Sequence, residues 1–151
     1  METSNEKNIA TFIHLSSLSQ YFIPFGNFIF PIIIWSSKKD TSEFVDHNGK
    51  QVINFQLSLL IYSLVCAMIA IPILLFTIFN NVPFNDFYDG HNLVINDFNF
   101  SDNTGIMTVG LIAAFIFLSM KIAEFFLIIN AAIKTSNGDL YKYPFCISFL
   151  K

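Results

Sequence analysis

Arginine is absent from this chain, and charge of either sign is sparse: only 13% of its 151 residues are Asp, Glu, Lys or Arg. No basic patch results, so nucleic acid, whose binding rests on neutralised phosphates, is not an expected partner. The two cysteines, Cys66 and Cys146, stand in separate regions. Without a C-x-x-C or paired spacings there is no disulfide framework, and each reads as a small buried hydrophobe. His14, His47 and His91 fall in three different stretches, whereas a metal site needs its donors converging. H-E-x-x-H, G-x-S-x-G and the phosphate-binding glycine loop are all missing. Asp86 and Asp89 lack the alternation and closing Glu of a calcium loop. No internal repeat is visible, which weakens an inverted-repeat transporter. We therefore expect no catalytic residue, no metal and no cofactor. The first residues set Glu2 and Glu6 against Lys7 and lack the positive start of a signal peptide, so the first apolar segment is expected to stay in the mature protein.

What is present is apolar bulk. Hydrophobic residues make 54% of the chain, 19 of them Phe, and the mean hydropathy is +0.57. The Phe and Asn bias speaks of an AT-rich genome more than of function. Residues 57–79 carry no charge, and 106–120 repeat the pattern with apolar residues resuming at Phe125. A bilayer core needs about 20 apolar residues as helix, and both runs can supply them. The sequence therefore predicts an all-α, multi-pass membrane protein in one domain, 1–151. Its parts are a broken hydrophobic segment at 9–36, helix two at 51–79, an outer loop at 80–105, helix three at 106–134 and an interfacial tail at 135–151.

Segment 9–36 is the least regular. Pro24, Gly26 and Asn27 cluster in its middle and Pro31 follows. Proline removes a backbone donor and clashes with the preceding turn, and Pro-x-Gly-Asn is turn chemistry. One reading is a kinked helix that crosses once. The other, which we favour, breaks near Pro24–Asn27 into two short helices, near 9–23 and 28–36, that return as a hairpin.

Lysines set the expected topology. Lys38, Lys39 and Lys50 follow the first segment, and Lys134, Lys142 and Lys151 follow helix three. The loop between helices has no Lys but carries Asp86, Asp89, Asp97 and Asp102. The positive-inside rule puts 37–50 and the C-terminus in the cytoplasm and 80–105 outside. A hairpin would make the N-terminus cytoplasmic too. Trp35, Tyr141 and Tyr143 read as inner interface markers, and Phe84, Phe87 and Tyr88 as outer ones. Asn99-Phe100-Ser101 has the form of a glycosylation site.

Polar residues inside apolar runs are the candidate functional positions. Asn48 and Gln51 fit a capping box that would start helix two. Gln51, Asn54 and Ser58 then share one face, which lipid would not satisfy and which should point into the bundle. Lys121 and Glu124, at i, i+3, are costly in a membrane and are expected to pair near the inner boundary. His14, Ser17 and Gln20 are their expected neighbours. Each position has two readings. It either serves a polar path or a partner contact, or it simply ties helices together.

Two stretches go further. Ile23 to Trp35 contains Pro24, Gly26, Asn27 and Pro31, and leads to Lys38, Lys39, Asp46, Gly49, Lys50, Asn54, Phe55 and Gln56. The second holds Ala131, Lys134, Asn137, Gly138, Tyr141, Tyr143 and Pro144. In order and spacing these resemble a family of small bacterial membrane proteins of unknown function, grouped with the twenty-kilodalton subunit of the chloroplast inner-envelope protein translocon. Where that family has a His before Gly-Lys, this chain has Asn48 after His47. The resemblance implies an all-helical inner-membrane protein with both termini cytoplasmic and no enzyme activity. Function is then expected to be that of a small scaffold or interaction subunit, in contact with lipid and with other membrane proteins or itself. The alternative is a channel or translocation component; an enzyme acting on lipid or peptide has least support.

Overall fold

The computed structural model describes residues 3–81 and 104–151, apart from the side chains at 76–81, 106 and 107. The described residues form four α-helices: α1 (Ser4–Ser16), α2 (Gly26–Lys38), α3 (Glu43–Asn81) and α4 (Thr104–Asn137). Short 3₁₀ turns follow α1 at Ser17–Tyr21 and α2 at Lys39–Thr41. Of the expected outer loop 80–105, residues 80, 81, 104 and 105 belong to the helices, and the rest, with its four Asp, His91, Asn99 and its aromatic markers, lies outside the described residues.

The N-terminal helix begins with a signal that was not read from sequence. Thr3 Oγ1 accepts the Glu6 N–H at 3.3 Å, and the Glu6 carboxylate accepts the Thr3 N–H at 2.7 Å. These reciprocal bonds satisfy two orphan donors. The break falls within the expected cluster. Pro24 bars its predecessor from continuing a helix, and Phe25 takes the left-handed region at φ +61°. Gly26 then starts α2. A Cβ there would stand 2.6 Å from Ser19 Oγ and 2.9 Å from the Ser19 carbonyl oxygen, so only glycine lets the arms close.

The two arms pack on each other, and both open at the same end. Lys7, in α1, donates to the Asn137 carbonyl at the end of α4 (3.4 Å). Trp35, near the end of α2, donates from Nε1 to Asp46 Oδ1 in the first turns of α3 (2.9 Å). Segment 9–36 is therefore a hairpin, not a kinked rod.

Helix α3 starts six residues earlier than the Asn48 cap implies. Extended Ser42 accepts the Phe44 N–H through Oγ at 3.2 Å. Asn48 and Gly49 lie inside the helix, so their turn chemistry has another use: Asn48 bonds the Phe44 carbonyl one turn back (2.9 Å) and faces inward. Helix α4 stops where Asn137-Gly138 suggests. Gly138 adopts φ +94°, with Gly138 N–H on Thr135 O (3.0 Å) and Asp139 N–H on Lys134 O (3.1 Å). This is the Schellman arrangement, and it needs glycine.

The chain forms two compact units, Met1–Tyr62 with Met120–Lys151, and Ser63–Ser119. In the first, Ile13, Val45, Val52, Phe55, Ile128, Ala131, Tyr141 and Tyr143 make the core. Two of the expected interface aromatics, Tyr141 and Tyr143, are thus core residues, and Trp35 is half-buried against them. Their hydroxyls explain the shift, because a buried tyrosine needs a polar partner and the first unit offers one. In the second unit the helix surfaces are apolar and exposed, at Met68, Ile69, Phe115 and Phe117 among others. Cys66, expected to be buried, is exposed there. Two stretches, Glu43–Leu75 and Thr108–Asn137, are long and apolar enough to cross a membrane.

Candidate functional site

The polar residues singled out from sequence are gathered in the first unit, in three separate clusters. The first is centred on His14. Asn48 Nδ2 is committed to the Phe44 carbonyl, which turns Oδ1 toward His14 Nε2 (3.0 Å) and Thr135 Oγ1 (3.2 Å). Nε2 is then the donor, and Nδ1 is left to accept from the Tyr143 hydroxyl at 2.9 Å. Every member is buried. Phe55 stacks on Tyr143 with centroids 4.0 Å apart, closing the cluster with an apolar lid.

His14 lies on α1, outside the two candidate spans. Its burial strips water from the cationic form and pushes its pKa down to about 4, although the Asn48 bond opposes this; His47 adds a smaller repulsion. Burial also raises the Tyr143 hydroxyl well above its usual range, so it stays a donor. The sign of the stability effect follows. Between the unfolded value of 6.5 and about 4 the unfolded chain binds a proton that the folded chain refuses, so stability falls as pH drops through that window. The loss reaches about 3 kcal/mol at its acid end. Thermal melting of the detergent-solubilised protein from pH 7.5 to 4 should show it, and His14→Gln should flatten the curve over that range. An unchanged slope in the variant would assign the acid sensitivity elsewhere.

The second cluster joins the 3₁₀ turn to α4. Lys121 Nζ reaches Glu124 Oε2 at 2.8 Å and Gln20 Oε1 at 3.3 Å, while Gln20 Nε2 donates to Glu124 Oε1 at 2.8 Å. Gln20 thus bridges both charges. Burial is unequal: the Glu124 side chain is 2% exposed and that of Lys121 38%. Beside Lys121 an open groove of about 450 Å³ is walled by Tyr21, Ile122, Phe125 and Phe126. His14, expected near this pair, belongs to the first cluster instead.

The third cluster is a clamp on the tail. Asn54 Oδ1 accepts the N–H groups of Phe149 (3.1 Å) and Leu150 (2.8 Å), and its Nδ2 donates to the Leu150 carbonyl (3.0 Å). One turn on, Ser58 Oγ accepts the Ile147 N–H (2.8 Å); one turn further, the Tyr62 hydroxyl donates to the Phe145 carbonyl (2.7 Å). Pro144 and left-handed Phe145 (φ +54°) reverse the chain for this. The polar face of α3 therefore points inward at Asn54 and Ser58, as its spacing implied. Gln51 does not join the clamp, and its Oε1 is buried without a hydrogen-bond partner among the described residues.

The remaining quoted residues are packing devices. Asn27 Nδ2 donates to Gln56 Oε1 at 2.7 Å. Lys50 pairs with Asp46 at 2.6 Å, and Asp46 holds Trp35. Gly49 leaves room for the Trp35 ring, and Pro31 is buried in α2. Three participants escaped the sequence reading: Thr135, Tyr62 and the inward face of Asn48. Tyr62 was legible in principle, because it extends Asn54 and Ser58 by one more turn; Thr135 carries no such signal. Among the described residues no three His, Cys, Asp or Glu side chains converge to hold a metal. Within each cluster the polar groups bond one another, and what the clusters accomplish chemically is to fasten a hairpin, two long helices and a tail into one end.

No curated protein and no solved structure matches the chain. A family profile does, across residues 5–150, and it is that of the magnetosome magnetite crystal formation proteins (MamF/MmsF). This corrects the translocon grouping suggested by the motifs. The quoted residues close a hairpin, seat a tryptophan and clamp a tail, so they report how the chain folds and carry no mark of protein transport. The match spans the hairpin, both long helices and nearly all of the tail, and by it the chain belongs to the magnetosome magnetite crystal formation protein family.

Proposed function

We propose that this protein is a non-catalytic membrane scaffold that takes part in magnetite crystal formation. The observation that carries the reading is the family match over residues 5–150, which takes in both apolar helices. The internal use of the polar side chains supports the non-catalytic part, since His14, Glu124 and Asn54 are each spent on holding helices or tail. In this reading the open end of the hairpin, with Lys38 and Lys39, and the end of α4 at Lys134 face the cytoplasm, helices α3 and α4 cross the membrane, and the Asp-rich stretch 80–105 lies on the far side with the mineral. Lipid is the surrounding partner, with other membrane proteins or further copies completing the scaffold.

The direct test is removal of the gene from a magnetite-forming cell, with crystals measured by electron microscopy. Crystals altered in size or number, restored by the intact chain, support the proposal. Crystals unchanged in the deletion strain would overturn it. The orientation has its own test. Single cysteines at Ser42 and Asn92, in a background lacking Cys66 and Cys146, are treated in intact cells with an impermeant thiol reagent. Where the far side opens to the medium, Asn92→Cys should react and Ser42→Cys should not. Reaction at Ser42→Cys alone would invert the topology.

A further inference from the structure

The hairpin has a property that neither a spanning helix nor a surface helix has. Its arms, α1 with its 3₁₀ turn and α2, enter and leave at one end of the first unit. Its depth can be read against α3. Trp35 meets Asp46 at the open end, and Asn27 meets Gln56 near the tip. At 1.5 Å per residue these contacts are about 15 Å apart, half of the roughly 30 Å hydrocarbon core. The arms are also chemically fit for lipid. From Asn8 to Ser37 the chain has no Asp, Glu or Lys. Phe25 just before α2 and Ile29 and Ile33 within it stand exposed one turn apart, and Phe22 is 89% exposed at the tip. Lys38 and Lys39 follow at the open end, with Lys39 placed over the Trp35 ring.

We propose that the hairpin is a one-leaflet wedge, which makes the protein favour membranes whose lysine-side leaflet is convex. This rests on the reading that the chain is membrane-embedded. The argument is one of area. Each arm has a helical cross-section about 10 Å wide. Inserted to mid-depth, the arms add that area to one leaflet and none to the other. The mismatch is relieved where the crowded leaflet bends outward, in the way that shallow amphipathic insertions respond to curvature. The uncharged length of the arms and their half-membrane depth select lipid as the occupant of the exposed face, rather than a second copy.

The test uses the full chain reconstituted in giant vesicles of phosphatidylcholine and phosphatidylglycerol, with a dye on Ser42→Cys in the cysteine-free background. Thin tubes are drawn outward from the vesicles. Molecules with Ser42 outside should be enriched on the tube about twofold or more over the parent vesicle, and those with Ser42 inside depleted. Equal densities on both surfaces would overturn the wedge. Depth is measured separately. A dye on Phe25→Cys should be quenched more by lipids brominated at mid-chain than by lipids brominated near the headgroup. Quenching by neither, with crosslinking between Phe25→Cys copies, would show the face covered by a second copy and overturn the wedge also. Failure to float with vesicles at all would overturn the membrane reading itself, which separates the two failures.

Discussion

Gly49→Ala is expected to lower the melting temperature sharply, although alanine is the better helix former. A Cβ on Gly49 would collide with Cδ1 and Cγ of Trp35 and approach its Nε1 to 2.9 Å. The ring has little freedom to retreat, since Nε1 is bound to Asp46 and the side chain packs against the core. Overpacking of this kind costs about 1–3 kcal/mol. Losing the Trp35–Asp46 bond adds about 1 kcal/mol, while helix propensity returns at most about 1 kcal/mol. The balance is destabilising by about 1–3 kcal/mol. Trp35→Leu placed on Gly49→Ala should regain part of it, because the smaller side chain vacates the contact. A Gly49→Ala protein that melts above the parent in detergent would mean that Trp35 does not sit where it is placed.

The second large effect is at the buried end of the ion pair, and it should be asymmetric. Lys121→Met leaves a carboxylate that is 2% exposed, held by Gln20 without its cation. Removing one member of a buried pair costs about 3–5 kcal/mol when both are fully enclosed. The accessible side of Lys121 reduces that ceiling, so a loss of about 2–3 kcal/mol is expected. Glu124→Gln should cost less, since the amide can still bond Gln20 and the ammonium left behind is already 38% exposed. The double variant should recover much of the Lys121→Met loss. Membrane accumulation and thermal melting of the four proteins form a double-mutant cycle. Equal melting of all four would show that the pair contributes nothing to the fold.

These two sites illustrate what was legible in the chain and what was not. Local signals were read well where one chemistry dominated. The uncharged runs marked α3 and α4, and Pro24 to Asn27 marked the hairpin turn, because each feature has few other uses. Asn54 and Ser58 were legible as an inward polar face because apolar surroundings leave polar groups little choice. Asn48 and Gly49 misled, since the pair has the look of a helix start. Its real partners are His14 and Trp35, and nothing in the local sequence names them. Tyr143 was placed at the interface for the same reason. An aromatic near lysines suits a membrane border, but its partner His14 lies far away in sequence and takes it into the core. Long-range pairing decided each of these positions, and a single sequence does not carry it.

The account depends most on the first hydrophobic segment returning to the side from which it enters. Cysteines placed singly at Ser4 and Ser42, in the background without Cys66 and Cys146, test this directly with an impermeant thiol reagent before and after permeabilisation. Both positions should be protected in intact cells and both should react once the cytoplasm is opened. Labelling of Ser4→Cys in intact cells, with Ser42→Cys still protected, would mean that the segment crosses the membrane and would contradict the hairpin.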